Sequence, residues 1–254
     1  MRRRPLAALA VSCALVTGCS VLPSGPTPMP SDWIPQSSIS PAARSGAMSP
    51  DGFSVAQRMT VRVRNIGCGF IATGTGFAYD DSTLITNRHV IEDSRSIEVS
   101  TYNGDNLNAT AVSSTTVADI AIVRTNQAVL SSYAILAQQD PEPGDVITVI
   151  GYPNGGELTS VSGVVLGSTA DPLDAAIGKV LVTSAEVEPG SSGSPVLSED
   201  GEVVGVVYAK TDDGNSLIVP VSTLRTLLSE TSLLVPEAPS CTTSAFDGSV
   251  YVGG

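Results

Sequence analysis

Histidine is nearly missing from this 254-residue sequence, which contains only His89. Aromatic residues make up 4%, and charged residues 15%, against roughly 25% charged in a typical soluble domain. One imidazole and four thiols leave almost no ligand set for a structural zinc, and neither a metal nor an organic cofactor is expected. Bases are scarce as well. Thirteen Lys and Arg stand against 25 Asp and Glu, a net charge of −12, which argues against a nucleic-acid binder. The apolar run Pro5 to Val16 is twelve residues long, short of the roughly 20 that span a bilayer. What remains is a length that supports one large or two small domains with a sizeable core. Plentiful Gly, Ser and Thr give it the look of a secreted β-protein.

The N terminus reads as an export segment: Arg2, Arg3 and Arg4 precede the apolar run, and Val16-Thr17-Gly18-Cys19 follows. That tetrad resembles the lipobox of bacterial lipoproteins, in which cleavage precedes the cysteine and the thiol carries diacylglycerol. The resemblance implies a signal peptide over 1–18 and lipidation of Cys19. Cys13 would be lost with the signal. Cleavage leaves ten basic and 25 acidic residues, a net charge of −15. Residues 19–52 are rich in Pro and Ser and cannot bury enough apolar surface to fold alone. At about 3.1 Å per residue its Pro-rich part, residues 20–50, reaches up to roughly 90 Å. Trp33, the one tryptophan, lies inside it as an incidental linker residue or a docking side chain.

From residue 53 onward, short β-rich runs alternate with turns: Met59 to Val63, Gly76 to Tyr79, Ser96 to Val99, Ile120 to Val123, Val146 to Ile150, Val180 to Thr183 and Val203 to Val207. Asn103-Gly104, Pro143-Gly144, Asp200-Gly201 and Asp213-Gly214 punctuate them. This spacing predicts an all-β sandwich or barrel. Helical periodicity is confined to residues 52–59 and to Val221–Leu228, where Leu224, Leu227 and Leu228 share a face. A polar stretch from Gln138 to Gly144 reads as a connector between halves.

Three motifs stand in chain order: Thr86-Asn87-Arg88-His89-Val90, Asp119-Ile120-Ala121, and Gly190-Ser191-Ser192-Gly193-Ser194-Pro195. A serine hydroxyl needs a base within hydrogen-bond reach to become a nucleophile. Imidazole suits that task near neutral pH, and a buried carboxylate fixes its tautomer and stabilises the imidazolium. Glycine beside the serine lets successive N–H groups converge on one point, where they can stabilise an oxyanion.

Together these motifs resemble the trypsin-like, chymotrypsin-fold serine proteases of the bacterial extracytoplasmic branch. The TNxHV and DIA forms are similar to HtrA-type protease domains, and GSSGSPV to glutamyl endopeptidases. Gly74-Thr75-Gly76-Phe77, the turn Gly151-Tyr152-Pro153-Asn154-Gly155-Gly156 and a cysteine at each end resemble above all the actinobacterial periplasmic acid-resistance proteases. The resemblance covers roughly residues 53–243. It implies two six-stranded antiparallel β-barrels, about 59–136 and 144–221, then a helix over about 221–230 and a tail over 244–254. It implies His89 as general base, Asp119 as its orienting partner, Ser192 as nucleophile, and Gly190 and Ser192 as oxyanion donors. It places Glu186 near the floor of the primary specificity pocket and Tyr208, Ala209 and Lys210 along its wall. A carboxylate there favours basic P1 side chains unless Lys210 or solvent neutralises it. Acidic P1 preference is disfavoured, because no second histidine is available to the pocket. The family links cysteines at the places of Cys68 and Cys241; such a bridge is nominally worth about 5 kcal/mol as an upper bound.

Ser191 replaces the aspartate that pairs with a freshly cut N terminus in the animal enzymes, so activation by N-terminal cleavage is not expected. Too few residues follow Ser192 to add a PDZ module after the second barrel. The resulting expectation is a lipid-anchored, extracytoplasmic, monomeric serine endopeptidase acting on proteins or peptides, with cell-envelope proteins as candidate substrates. The competing expectations are a catalytically silent domain binding cell-envelope proteins or peptides in the same cleft, and an exported esterase.

Overall fold

The computed structural model describes residues 54–125, 132–171 and 178–238. The expected signal, Cys19, the spacer with Trp33, Cys241 and the 244–254 tail all lie outside these residues.

Chain entry is set by a short helix, α1 (Val55–Met59), closed by a capping box. The Ser54 hydroxyl accepts the Gln57 N–H, and the Gln57 side chain accepts the Ser54 N–H. Six strands follow: β1 (Thr60–Gly67), β2 (Ile71–Ala78), β3 (Thr83–Thr86), β4 (Ser94–Ser100), β5 (Asn106–Ser114) and β6 (Ala121–Thr125). All pair antiparallel in the order β5-β4-β1-β2-β3-β6, and β5 also pairs β6, which closes the barrel. In β1, Val61, Val63 and Asn65 point inward while Arg62 and Arg64 point out, the period-two alternation of a half-buried strand.

The second barrel is β7 (Val146–Gly151), β8 (Thr159–Ala170), β9 (Lys179–Thr183), β10 (Pro195–Leu197), β11 (Val203–Lys210) and β12 (Ser216–Pro220). It closes in the order β10-β11-β12-β9-β8-β7. Here β12 and nearly all of β11 are buried without alternation, because their outer faces pack on the other barrel and on the terminal helix. The expected two six-stranded antiparallel barrels are therefore present.

One apolar cluster joins them. Val61, Phe77, Leu84 and Ile120 of the first half pack in the same core as Val203, Val206, Leu217 and Val219 of the second. The inter-barrel connector runs beside β11, where Val203 N–H donates to Ile135 O and Ala137 N–H to Val203 O. Helix α3 (Val221–Ser229) buries Val221, Leu224 and Leu227. The chain then returns to the first barrel as β13 (Val235–Pro236), which pairs with Ser113 and Ser114 of β5. Among the described residues no helix is long and apolar enough to cross a membrane.

Candidate active site

The histidine motif leaves β3 and turns at once into α2 (Arg88–Ile91). Val90 and Ile91 are buried and pin this single turn, which leaves the His89 side chain 44% exposed. Asn87 is fully buried and donates from Nδ2 to the Asp119 carbonyl at 2.6 Å. Asp119 sits between Ala118 and Ile120, both with no exposed surface, and is itself buried. Both of its oxygens face one residue. Oδ1 accepts the His89 backbone N–H at 3.1 Å, and Oδ2 lies 2.5 Å from His89 Nδ1. A carboxylate can only accept, so Nδ1 is the protonated nitrogen and Nε2 carries the free lone pair.

Ser192 lies in the tight turn that leads into β10, partly exposed. Gly190 and Gly193 on either side have φ of +92° and +86°, the left-handed region that glycine enters without penalty. A Cβ on Gly193 would stand 2.0 Å from the Thr75 carbonyl oxygen, so no larger residue fits. The turn faces the histidine across Gly74. A Cβ there would lie 2.6 Å from Val90 Cγ1 and 3.3 Å from the Ser192 carbonyl. Val90, next to His89, and the Ser192 carbonyl thus flank the same glycine, and no hydrogen bond joins His89 to Ser192 among the described residues.

Among the described residues the N–H groups of Gly190 and Ser192 have no protein acceptor. Asn154, itself at φ +54°, donates its N–H to the Pro189 carbonyl at 2.5 Å. A trans peptide directs its carbonyl and N–H oppositely, so that bond turns the Gly190 N–H away from Asn154. Thr75 binds the same turn from the first barrel: its N–H reaches Ser192 O at 2.8 Å and its hydroxyl reaches Gly190 O at 2.8 Å. Sequence reading singled out the Gly74-Thr75-Gly76 strand and the Tyr152–Gly156 turn but missed what Thr75, Asn87 and Asn154 do. Their partners are distant in the chain and leave no local pattern.

The residues expected at the specificity pocket separate. Tyr208 is buried; burial first, then Asp171 and Asp119, push its phenol pKa far upward, so it stays protonated. Ala209 is partly exposed and Lys210 exposed. Glu186 is exposed between the buried Ala185 and Val187. Lys210 Nζ pairs with Glu188 Oε1 at 3.2 Å, and no ion pair joins it to Glu186 among the described residues. Cys68 is exposed in the β1–β2 turn. Among the described residues no group of three or more His, Cys, Asp or Glu could hold a metal.

The family model described as "Trypsin-like peptidase domain" matches residues 74–206. "Serine protease HTRA2, mitochondrial" of Bos taurus is 31% identical over 164 residues, covering 62% of this chain and 36% of that protein. "Serine protease Do-like HtrA" of Bacillus subtilis is 31% identical over 138 residues, covering 51% of this chain and 31% of that protein. The chain thus spans about a third of these relatives' length. The solved Rv3671c protease of M. tuberculosis in its active form superposes with a TM-score of 0.64 at 23% identity, covering 73% of this chain and 86% of that one.

Proposed function

Since the chain belongs to the trypsin-like peptidase domain family, we propose that it is an extracytoplasmic serine endopeptidase working through an acyl-enzyme on Ser192. The observation that carries this reading is Asp119 with both oxygens on His89. That arrangement fixes the His89 ring with Nε2 free to accept a proton. Ser192 Oγ attacks the scissile carbonyl carbon while its proton passes to Nε2. The developing oxyanion lies between the Gly190 and Ser192 N–H groups. Collapse breaks the C–N bond, and Nε2–H protonates the leaving amine. A water then gives its proton to Nε2, attacks the acyl carbon and releases the acid and the free serine.

A fluorophosphonate probe tests the assignment. It should label the chain on Ser192, and neither S192A nor H89A should be labelled. A folded chain that takes no label would favour the silent binding domain, which the missing His89–Ser192 hydrogen bond keeps in view.

Membrane attachment belongs to the same proposal, with the Val16–Cys19 tetrad as its support. The full chain should partition into detergent and C19A into the aqueous phase. The Cys68–Cys241 bridge is also part of it, supported by the disulfide-bonded state of Cys68; C241A should expose one new thiol. Substrates are proteins or peptides, and a cleavage profile on a peptide library reads the P1 choice.

A further inference from the structure

We propose that the Thr75 hydroxyl is a positioning group for the oxyanion donors, holding the Gly190 peptide in its productive orientation from the opposite barrel; this rests on Ser192 being the nucleophile. Thr75 has no exposed surface, and a buried hydroxyl is costly unless bonded. Valine would fill the same strand position without that cost. The hydroxyl is used in both senses: it donates to Gly190 O at 2.8 Å and accepts the Tyr152 N–H at 2.9 Å. Both partners belong to the second barrel, while Thr75 is in β2 of the first.

The consequence lies in the peptide planes. Gly190 at φ +92° is a residue with wide rotational freedom, and its N–H is one of the two donors. The plane after its Cα is held through Gly190 O by Thr75. The plane before it, which carries the N–H itself, is held through Pro189 O by Asn154. Asn154 stands two residues beyond Tyr152, whose N–H is bound to the same Thr75 hydroxyl. One hydroxyl therefore acts on both planes, directly on one and through the Tyr152–Asn154 turn on the other. The plane that carries the Ser192 N–H is held separately, through Ser191 O by the Ser194 N–H at 3.0 Å, so that donor keeps a backbone anchor when the hydroxyl is removed. Without the hydroxyl the Gly190 plane can rotate. The loss should fall on the transition state, where the oxyanion is fully developed, more than on substrate binding.

The test compares T75V and T75S with wild type in the full chain, using a fluorogenic peptide and a peptide boronic acid that forms a tetrahedral adduct. T75V should lower kcat on the order of 10- to 100-fold and leave KM within about threefold. Boronate affinity should weaken in parallel, and affinity for the cleaved product should not change. T75S keeps the hydroxyl and should stay within about threefold of wild type. A T75V enzyme with near-normal kcat overturns the proposal, as does one whose boronate and product affinities fall together. If T75V does not fold, T75S decides: it loses the methyl packing alone, so retained kcat supports the hydroxyl's role and lost kcat overturns it. A wild-type chain that takes no fluorophosphonate at Ser192 overturns the protease reading itself, a separate result.

Discussion

Asp119 differs from a carboxylate that merely touches a histidine, because its second oxygen accepts the backbone N–H of that same residue. The ring and its own main chain are thereby locked as one unit, and the Asn87 bond to the Asp119 carbonyl anchors the unit from behind. An amide can accept with one of its two terminal atoms, not both. D119N must therefore turn an NH2 toward either His89 N–H or Nδ1, and it favours the tautomer with Nε2 protonated. Hydrolysis by D119N should drop on the order of 10³- to 10⁴-fold with the melting temperature within a few degrees of wild type. A variant that retains a tenth of the wild-type kcat would show that Asp119 does not set the tautomer. His89, Asp119 and Ser192 stood out in the sequence because each sits in a short motif, and the bonds from Asp119 to His89 are what the structure adds to two of them. Thr75 was not, because its hydroxyl partners lie 77 and 115 residues away. The resemblance that placed Glu186 carries no information about its exposure, which follows from its alternation with the buried Ala185 and Val187.

Secondary-structure elements here are stabilised by groups far from them in sequence. Helix α3 begins at a proline that offers no capping side chain. Asp140, from the inter-barrel connector, supplies the cap instead: Oδ1 accepts the Ser222 N–H at 2.8 Å and Oδ2 accepts the Ser222 hydroxyl at 2.7 Å. The carboxylate also complements the positive helix N terminus. D140A should cost about 1 kcal/mol in urea denaturation, and a midpoint equal to wild type would mean water replaces the cap. The β2–β3 turn shows the same logic with pH. Burial, the largest influence on Asp80, raises its pKa, but hydrogen bonds from Ser82 and Thr83 together outweigh it and leave the pKa lowered. A lowered folded pKa contributes stability above the unfolded value and loses it as pH falls through the folded one. D80N should therefore flatten the acid limb of stability, read as urea midpoints from neutral pH downward; an unchanged limb would remove Asp80 from the acid response. The strands and α3 were readable because alternation and a three-four spacing survive in short runs. The helix α2 was not, since four residues are too few to display a helical period, and neither was β13, whose two residues depend on pairing with β5.

At the scale of the molecule, the cleft is assembled by an interface that carries its own structural support. The apolar cluster spans both barrels. Across it, Thr75 binds the turn that carries Ser192 and Arg62 donates to Gly155 O at 2.9 Å while lying 5.7 Å from the Tyr152 ring centroid. The strand after α3 clips back onto β5, with the Glu237 N–H on Val112 O and the Ser114 hydroxyl donating to the Glu237 carboxylate. The turn that carries Ser192 lacks the charged partner a new amino terminus would need. Ser191 is buried and uncharged, its N–H is bound to Glu188 O, and its carbonyl accepts the Ser194 N–H. An ammonium group brought to that position would find no carboxylate partner on Ser191 and would lose its hydration. The pairing of a new N terminus with a carboxylate at this position is therefore not offered by Ser191. Deleting residues 19–50, or extending them with a tag, should leave peptide hydrolysis within about tenfold of the full chain, while releasing the deletion variant from membranes. Rates measured on matched detergent-solubilised samples separate the two effects. A larger drop in hydrolysis would show that the segment before the first barrel takes part in forming the oxyanion site after all.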